Sequence, residues 1–217
     1  AYLMAHISQE LVFELRCAFG HFFFFLHQLY LLPHLQVAHL VDDRGGVVLL
    51  LFGGEALAFV EDEPPVVVDW LPWSHTFGGN HNVNIVLKHG GTLYIDDGRP
   101  LPGAIDKTIA HLEEVQPTVY FNVPKGYDMM LPALEKDAKF AKRFFEKLRM
   151  VFYAGAGMPQ TTWKRLEAVA APVRKEPVWF TTSWGSTETS PGITFSHWRL
   201  EGPGVIGLPM PGAELKF

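Results

Sequence analysis

The residues best equipped for chemistry lie in one run, Trp184-Gly185-Ser186-Thr187-Glu188-Thr189-Ser190-Pro191. It follows a strand-like segment, Pro177-Val178-Trp179-Phe180-Thr181-Thr182. An aromatic face, a flexible glycine, hydroxyls and a carboxylate together suit a nucleotide carrying a metal ion. The indole can stack on a base, the glycine lets backbone come close, and a hydroxyl can reach phosphate oxygens. The carboxylate offers the oxygen donors a hard cation prefers. A strand end followed by a polar turn is the plain alternative for the same residues.

Such a run works only if something rigid holds it. From Val66 onward the sequence alternates strand-like and helix-like segments. Val66-Val67-Val68-Asp69-Trp70, introduced by Pro64-Pro65, reads as a buried strand. Ser74 or Thr76 is expected to cap a helix through Asn84-Ile85-Val86-Leu87, ended by Gly90-Gly91. Strands follow at Thr92–Ile95, Thr118–Phe121, Met150–Tyr153 and near Val178, with the turn Asp96-Asp97-Gly98 after the first. Ile105, Ile109, Leu112 and Val115 recur at helical spacing, and further helices are expected over 126–134, 136–148 and 160–170. This alternation predicts an α/β fold with a mostly parallel sheet flanked by helices. In such sheets ligands bind beyond the carboxyl ends of strands. Gly155-Ala156-Gly157 and the run from Trp184 to Glu188 both stand directly after strands.

The whole chain of 217 residues, 48% of them hydrophobic, can bury a core. Its formal charge of −5 gives no reason to expect nucleic acid or an anionic membrane as partner. A single cysteine, Cys17, excludes an internal disulfide framework and fits a reducing, cytoplasmic setting. No secretory leader pattern opens the sequence, and the apolar run from Phe22 to Leu32 is too short and too interrupted to span a bilayer.

Composition divides the chain near residue 60. Residues 1–59 contain no lysine, threonine, asparagine or tryptophan, yet half the histidines. Those histidines (His6, His21, His27, His34 and His39) match no compact metal-ligand spacing. No helical or alternating period is evident there, so 1–59 reads as an atypical segment and 60–217 as the structured part.

Four motifs in that second part resemble, in order, those of adenylate-forming (AMP-binding) enzymes. Trp184-Gly185-Ser186-Thr187-Glu188 resembles their Tyr-Gly-x-Thr-Glu motif. Asp69-Trp70-Leu71-Pro72-Trp73-Ser74-His75-Thr76-Phe77-Gly78-Gly79 resembles Leu-Pro-x-x-His-x-x-Gly. Gly155-Ala156-Gly157-Met158-Pro159 resembles Gly-Gly-Ala-x-Leu/Met-Pro, and Gly204 to Gly212 resembles Gly-x-Gly-x-Pro-x-Pro-Gly. The chain is most similar to the acid–CoA ligases of the feruloyl-CoA synthetase type. The resemblance implies part of the large N-terminal domain of such an enzyme. It also implies ATP, Mg2+ and coenzyme A as partners of a small-molecule carboxylic acid.

Carried over, the resemblance gives Trp184 to adenine stacking, with the loss of the usual tyrosine hydroxyl. Thr187 would meet the α-phosphate and Glu188 the magnesium. Gly155, Ala156 and Gly157 would line the nucleotide and acyl pockets beside Gly185, and His75 would stand at the carboxylate site. Tyr120, Asn122 and Val123 are weaker pocket-wall candidates, and Trp73, Phe77 and Tyr120 would give an aromatic lining. In the implied reaction a carboxylate attacks the α-phosphorus of ATP, and the acyl-AMP is cleaved by the coenzyme A thiolate.

The sequence departs from the family at both ends. No Gly/Ser/Thr-rich phosphate loop ending in lysine precedes Leu71-Pro72, because residues 1–59 lack the residues to build one. That segment is therefore expected to be foreign or out of frame. Phe217 stops short of the family's ribose-binding aspartate and lysine-bearing C-terminal domain, so no turnover is expected of the chain alone. Two rival readings stay open: an adenylation domain serving a carrier protein, and a non-catalytic nucleotide-binding or interaction protein.

Overall fold

A computed structural model describes residues 63–189, 191–210 and 213–216, together with strand segments at 4–6, 38–41 and 47–50. The expectations placed on the rest of residues 1–59 lie outside the described residues. The strands are β1 (Met4–His6), β2 (Ala38–Val41), β3 (Val47–Leu50), β4 (Val66–Asp69), β5 (Thr92–Ile95), β6 (Val119–Asn122), β7 (Met150–Tyr153), β8 (Trp179–Thr182), β9 (Thr194–Phe195) and β10 (Leu208–Pro209). The helices are α1 (Asn84–His89), α2 (Ile105–Glu114), α3 (Pro124–Lys136), α4 (Ala138–Glu146) and α5 (Gln160–Ala170).

The central strands run parallel, as the alternation predicts. β4 pairs with β5 in the register Val66↔Thr92, and β7 lies between β6 and β8 with Val151 opposite Tyr120 and Phe180. β4 also lies beside β6. Thr118 N–H donates to Val66 O at 3.0 Å, and Val66 N–H donates to the Thr118 hydroxyl at 2.9 Å. At the other end of this seam the Trp70 indole N–H donates to Asn122 Oδ1 at 3.2 Å. Both contacts match start with start and end with end, so the sheets β1-β5-β4 and β6-β7-β8 lie edge to edge at β4/β6, with β1 antiparallel at the outer edge of β5. Chain direction along the sheet reverses at β4/β6, the kind of place where open α/β sheets bind ligands.

Alternating residues of each strand build two cores. Tyr120, Val151, Tyr153 and Phe180 face α2 to α5, which supply Leu112, Tyr127, Leu131, Phe144 and Trp163. Val67, Leu93, Phe121 and Phe152 face the other way, against Phe77, Ile85, Val86 and Phe195. The Tyr127 hydroxyl ties α3 to the sheet by bridging Tyr120 O (3.0 Å) and Phe152 O (2.7 Å).

Local structure departs from expectation in two places. The helix after β4 opens as a π-helix, Phe77–Val83, before α1, and Thr76 at its N-cap makes no side-chain cap. Instead the Thr76 hydroxyl accepts from Asn80 Nδ2 at 3.2 Å. Ser74 is exposed and also does not cap it. Between α3 and α4 the break falls at Asp137, whose carboxylate accepts from Lys139 N (2.8 Å) and Phe140 N (3.2 Å) as an N-cap. Gly90, at φ 64°, ends α1 in the left-handed region as anticipated.

Two acids at strand ends are buried. Asp96 accepts from Gly98 N (2.7 Å), Thr108 Oγ1 (2.5 Å) and His111 Nδ1 (2.8 Å), fixing α2 to the end of β5. Asp69, 3% exposed, has one clear partner, Leu71 N–H at 3.0 Å on Oδ1. Burial pushes its carboxyl up to about 7, opposed by the Leu71 N–H and the Asn82 amide and reinforced by the Asp96 charge.

Two outcomes follow. Tyr127→Phe should cost about 1–2 kcal/mol in urea unfolding, because two buried carbonyls lose their phenol; an unchanged midpoint would refute the bridge. For Asp69 the sign is set by the raised value: the folded chain keeps a proton that the unfolded chain releases near about pH 4. Its contribution is whole below that pH and fades as pH rises to about 7, by about 1.4 kcal/mol per unit. Asp69→Asn should therefore flatten the fall in stability between about pH 4 and about pH 7, and an identical slope in the variant would contradict this.

Candidate active site

Three strand exits converge on one cavity. After β4 the chain turns through Pro72, whose carbonyl accepts from His75 N–H at 3.0 Å. Phe77 N–H donates to His75 Nδ1 at 3.2 Å, so the exposed imidazole accepts at Nδ1 and its neutral form carries hydrogen on Nε2. After β7 come Ala154 and Gly155, the latter at φ 82°, a backbone conformation that favours glycine. After β8 come Ser183 to Glu188.

The last of these exits is a closed loop. Gly185 and Gly192 form an antiparallel bridge, and a Cβ on Gly185 would collide with Pro191 O. Trp184 N–H donates to the Thr194 hydroxyl at 3.1 Å, and Ile193 N–H to Trp184 O at 2.9 Å. Inside the loop the Thr189 hydroxyl accepts from Ser186 N at 2.8 Å and donates toward Pro191 O at 2.6 Å. Thr187–Thr189 form one 3-10 turn, leaving Thr187 and Glu188 exposed. A hydrogen bond from the Ser186 hydroxyl, then one from its own backbone N–H, holds the Glu188 carboxyl below its ordinary value. It is therefore an ionised, acceptor-only group at neutral pH.

The cavity has a volume of about 350 Å³ and brings together His75, Gly155, Gly185, Thr187 and Glu188. Ser183, Ser186, Pro191 and Gly192 complete the rim, and Phe77, His81 and Phe152 form an aromatic floor with Thr76 and Ala154. Trp184 does not line it: its indole is 49% exposed and stands outside, flanked in sequence by the rim residues Ser183 and Gly185. Ala156 and Gly157 are exposed and also outside the lining. Among the described residues nothing lies within 4 Å of a Cβ built on Gly157, so none of them requires glycine there. The Gly185 backbone, by contrast, is demanded by the bridge to Gly192.

Three wall expectations are corrected. Tyr120 is fully buried, its hydroxyl directed at Met130 Sδ (3.5 Å), because period two turns it toward the helices. Asn122 is buried too, accepting from Trp70 Nε1 (3.2 Å) and Val123 N (2.8 Å). Trp73 is 55% exposed and lines a separate crevice of about 280 Å³ with Asp69, Trp70, Leu71, Ile95 and Asp96.

His81 is the residue sequence reasoning missed. Its ring centroid lies 5.4 Å from Phe77, 5.0 Å from Phe121 and 5.0 Å from Phe152. Burial lowers its pKa to about 4, against a smaller upward pull from Asn82, so it is neutral in ordinary buffers. Among the described residues, Asp96, Asp97 and His111 could also share a cation. The three hydrogen bonds already made by Asp96 give that cluster a structural task instead.

The chain matches the AMP-binding enzyme family over residues 34–217. The long-chain-fatty-acid–CoA ligase ACSBG2 of Xenopus laevis is 30% identical over 106 residues, covering 48% of this chain and 14% of that protein. The benzoate CoA ligase from Burkholderia xenovorans LB400 superposes with a TM-score of 0.57 at 21% identity, over 81% of this chain and 35% of its own. The anthranilate CoA ligase AuaEII in complex with anthranoyl-AMP gives 0.54 at 19% identity, over 83% and 34%. These two likenesses show a shared fold, and the chain spans only a minor part of each relative's length. Among the described residues no helix is long and apolar enough to cross a membrane. Because the family match covers most of the sequence, with its motifs meeting at the β7 and β8 exits, the chain belongs to the AMP-binding enzyme family.

Proposed function

We propose that the chain is the nucleotide- and acid-binding part of an ATP-dependent acid–CoA ligase that activates an aromatic, feruloyl-type acid. One observation carries this reading: His75, Gly155, Thr187 and Glu188, from three strand exits, border a single cavity. Thr187 presents its hydroxyl to the α-phosphate of ATP, where a donor offsets charge as the carboxylate attacks. His75, bearing hydrogen on Nε2, donates to the acid or to a phosphate oxygen at the opposite rim. Trp184 offers an exposed ring beside the rim for the adenine. Gly155 keeps the wall between nucleotide and acid free of a side chain. Coenzyme A then takes the acyl group from AMP as its thioester.

The residues present fit a magnesium ion, since the Glu188 carboxylate is exposed, ionised and rich in oxygen donors. Held there, the ion would supply positive charge to offset that of the phosphates. The aromatic choice rests on the floor, where Phe77, Phe152 and neutral His81 offer a flat apolar wall to a ring. The relative named for long-chain fatty acids favours an aliphatic acid instead.

Calorimetry separates these assignments. AMP should bind the chain, and Trp184→Ala should weaken it about tenfold, the scale of losing one base–aromatic stack. Glu188→Gln should leave AMP binding intact and remove the gain that Mg2+ gives to ATP. An aromatic acyl sulfamoyladenosine, a stable mimic of acyl-AMP, should bind more tightly than its palmitoyl counterpart. Failure of AMP to bind would overturn the nucleotide reading, and a preference for the palmitoyl compound would overturn the aromatic one.

A further inference from the structure

Beneath the cavity floor runs a line of buried polar groups that the ligase reading does not use. His81 Nδ1 lies 2.7 Å from Asn82 Oδ1, with both residues buried. With the amide in this orientation its oxygen accepts, which places the His81 hydrogen on Nδ1. The other end of the same amide, Asn82 Nδ2, is buried without a hydrogen-bond partner, and so is Asp69 Oδ2. The Asn82 amide lowers the Asp69 carboxyl, although neither Asp69 Oδ2 nor Asn82 Nδ2 closes a hydrogen bond. Asp69 is itself anchored, because Leu71 N–H donates to its Oδ1 at 3.0 Å.

We propose that Asp69 and Asn82 are positioning residues of the cavity, which together fix His81 as the Nδ1–H tautomer. The logic is directional. Leu71 N–H keeps Oδ1 of residue 69 as an acceptor, so only Oδ2 addresses Asn82. An ionised Oδ2 accepts, which turns the NH2 of Asn82 toward it and the carbonyl of Asn82 toward His81. A donor at the Oδ2 position reverses the amide, and with it the imidazole tautomer. Because His81 lines the cavity, its tautomer sets the polarity of that wall. The consequence for ligand choice rests on the ligase reading; the tautomer itself does not.

Protonating Asp69 supplies such a donor, so the tautomer is coupled to pH. The other ionisable groups facing Asp69 are Asp96 at the end of β5, whose charge favours the protonated acid, and the buried Tyr120 phenol on β6. Tyr120 stays neutral, since burial raises its pKa well above the ordinary value. His81, neutral down to about pH 4, can change tautomer across this range without changing charge.

The test is long-range proton–nitrogen NMR on the chain labelled at histidine nitrogens, with His81 assigned by its loss in His81→Phe. Above pH 8, where Asp69 is ionised, wild type should show the Nδ1–H pattern. Asp69→Asn should give the Nε2–H pattern at the same pH, because the carbonyl of the introduced amide stays on Leu71 N–H and its NH2 faces Asn82. Asn82→Leu, which removes the acceptor, should also abolish pure Nδ1–H. Circular dichroism reports whether each variant folds. An Nε2–H pattern in wild type, or Nδ1–H retained in a folded Asp69→Asn, overturns the proposal. Should neither variant fold, the wild-type pattern alone decides. None of these readouts needs a ligand, so they stand or fall separately from AMP binding.

Discussion

The side chain of Asn122 is the constraint on which the cavity depends. It is fully buried at the carboxyl end of β6, where the sheet reverses its order. Its Oδ1 accepts from Trp70 at the exit of β4 and from Val123 at the exit of β6, at 3.2 Å and 2.8 Å. Its backbone carbonyl accepts from Ala154 N at the exit of β7, at 3.3 Å. One residue thus ties the exits of β4, β6 and β7, and two of these, β4 and β7, open onto the cavity. Even the helix that follows conforms: a Cβ on Gly126 would collide with Asn122 Oδ1. A buried amide is costly unless its polar atoms are paired, and here both are, with Nδ2 donating to the Tyr120 hydroxyl at 3.2 Å.

The loop after β8 divides its tasks between neighbouring residues of similar type. Thr189 turns its hydroxyl inward and closes the loop on Ser186 and Pro191, while Thr187 stays exposed. Gly185 allows the bridge, and the Ser186 hydroxyl holds Glu188 ionised. Such a loop presents two polar groups at the rim without relying on them for its own shape. Substituting an exposed member should therefore spare the fold, whereas substituting Thr189 or Gly185 removes a contact that shapes it.

Much of this was legible in the sequence for a physical reason. Proline-introduced, β-branched runs such as Val66-Val67-Val68 have few alternatives to a buried strand, and Ile105, Leu112 and their neighbours mark a helix by spacing alone. The meeting of Gly155 with Thr187 and Glu188 followed from their places after strands. Other features depended on facts a sequence does not carry. Whether Tyr120 faces ligand or core turns on which side of the sheet the cavity opens, a choice that period two leaves undecided. The π-helix at Phe77–Val83 rests on tertiary packing, since Gly78 and Gly79 press on the backbone of 71–73 where a Cβ would lie within 3 Å. His81 and Asn82, adjacent polar residues in a helical stretch, carry no pattern that announces burial.

The two sides of the cavity differ in what they offer, and that difference has a common origin in the sheet. Residues just past the strand ends keep contact with water and remain polar: Ser183, Ser186, Thr187 and Glu188. Residues one step deeper belong to the core that also contains Phe121 and Phe195, so Phe77 and Phe152 are apolar and His81 is kept uncharged. An acyl adenylate has the same division, with phosphate and ribose at one end and the acid's tail at the other. Charge at the floor would remove it, because an imidazolium among three phenyl rings would draw in water or a counter-ion. Burial of His81 therefore does more than fill space: it keeps the floor uncharged while the rim stays polar. A polar residue is accommodated in this position with Asn82 as its hydrogen-bonding partner at 2.7 Å, both of them buried.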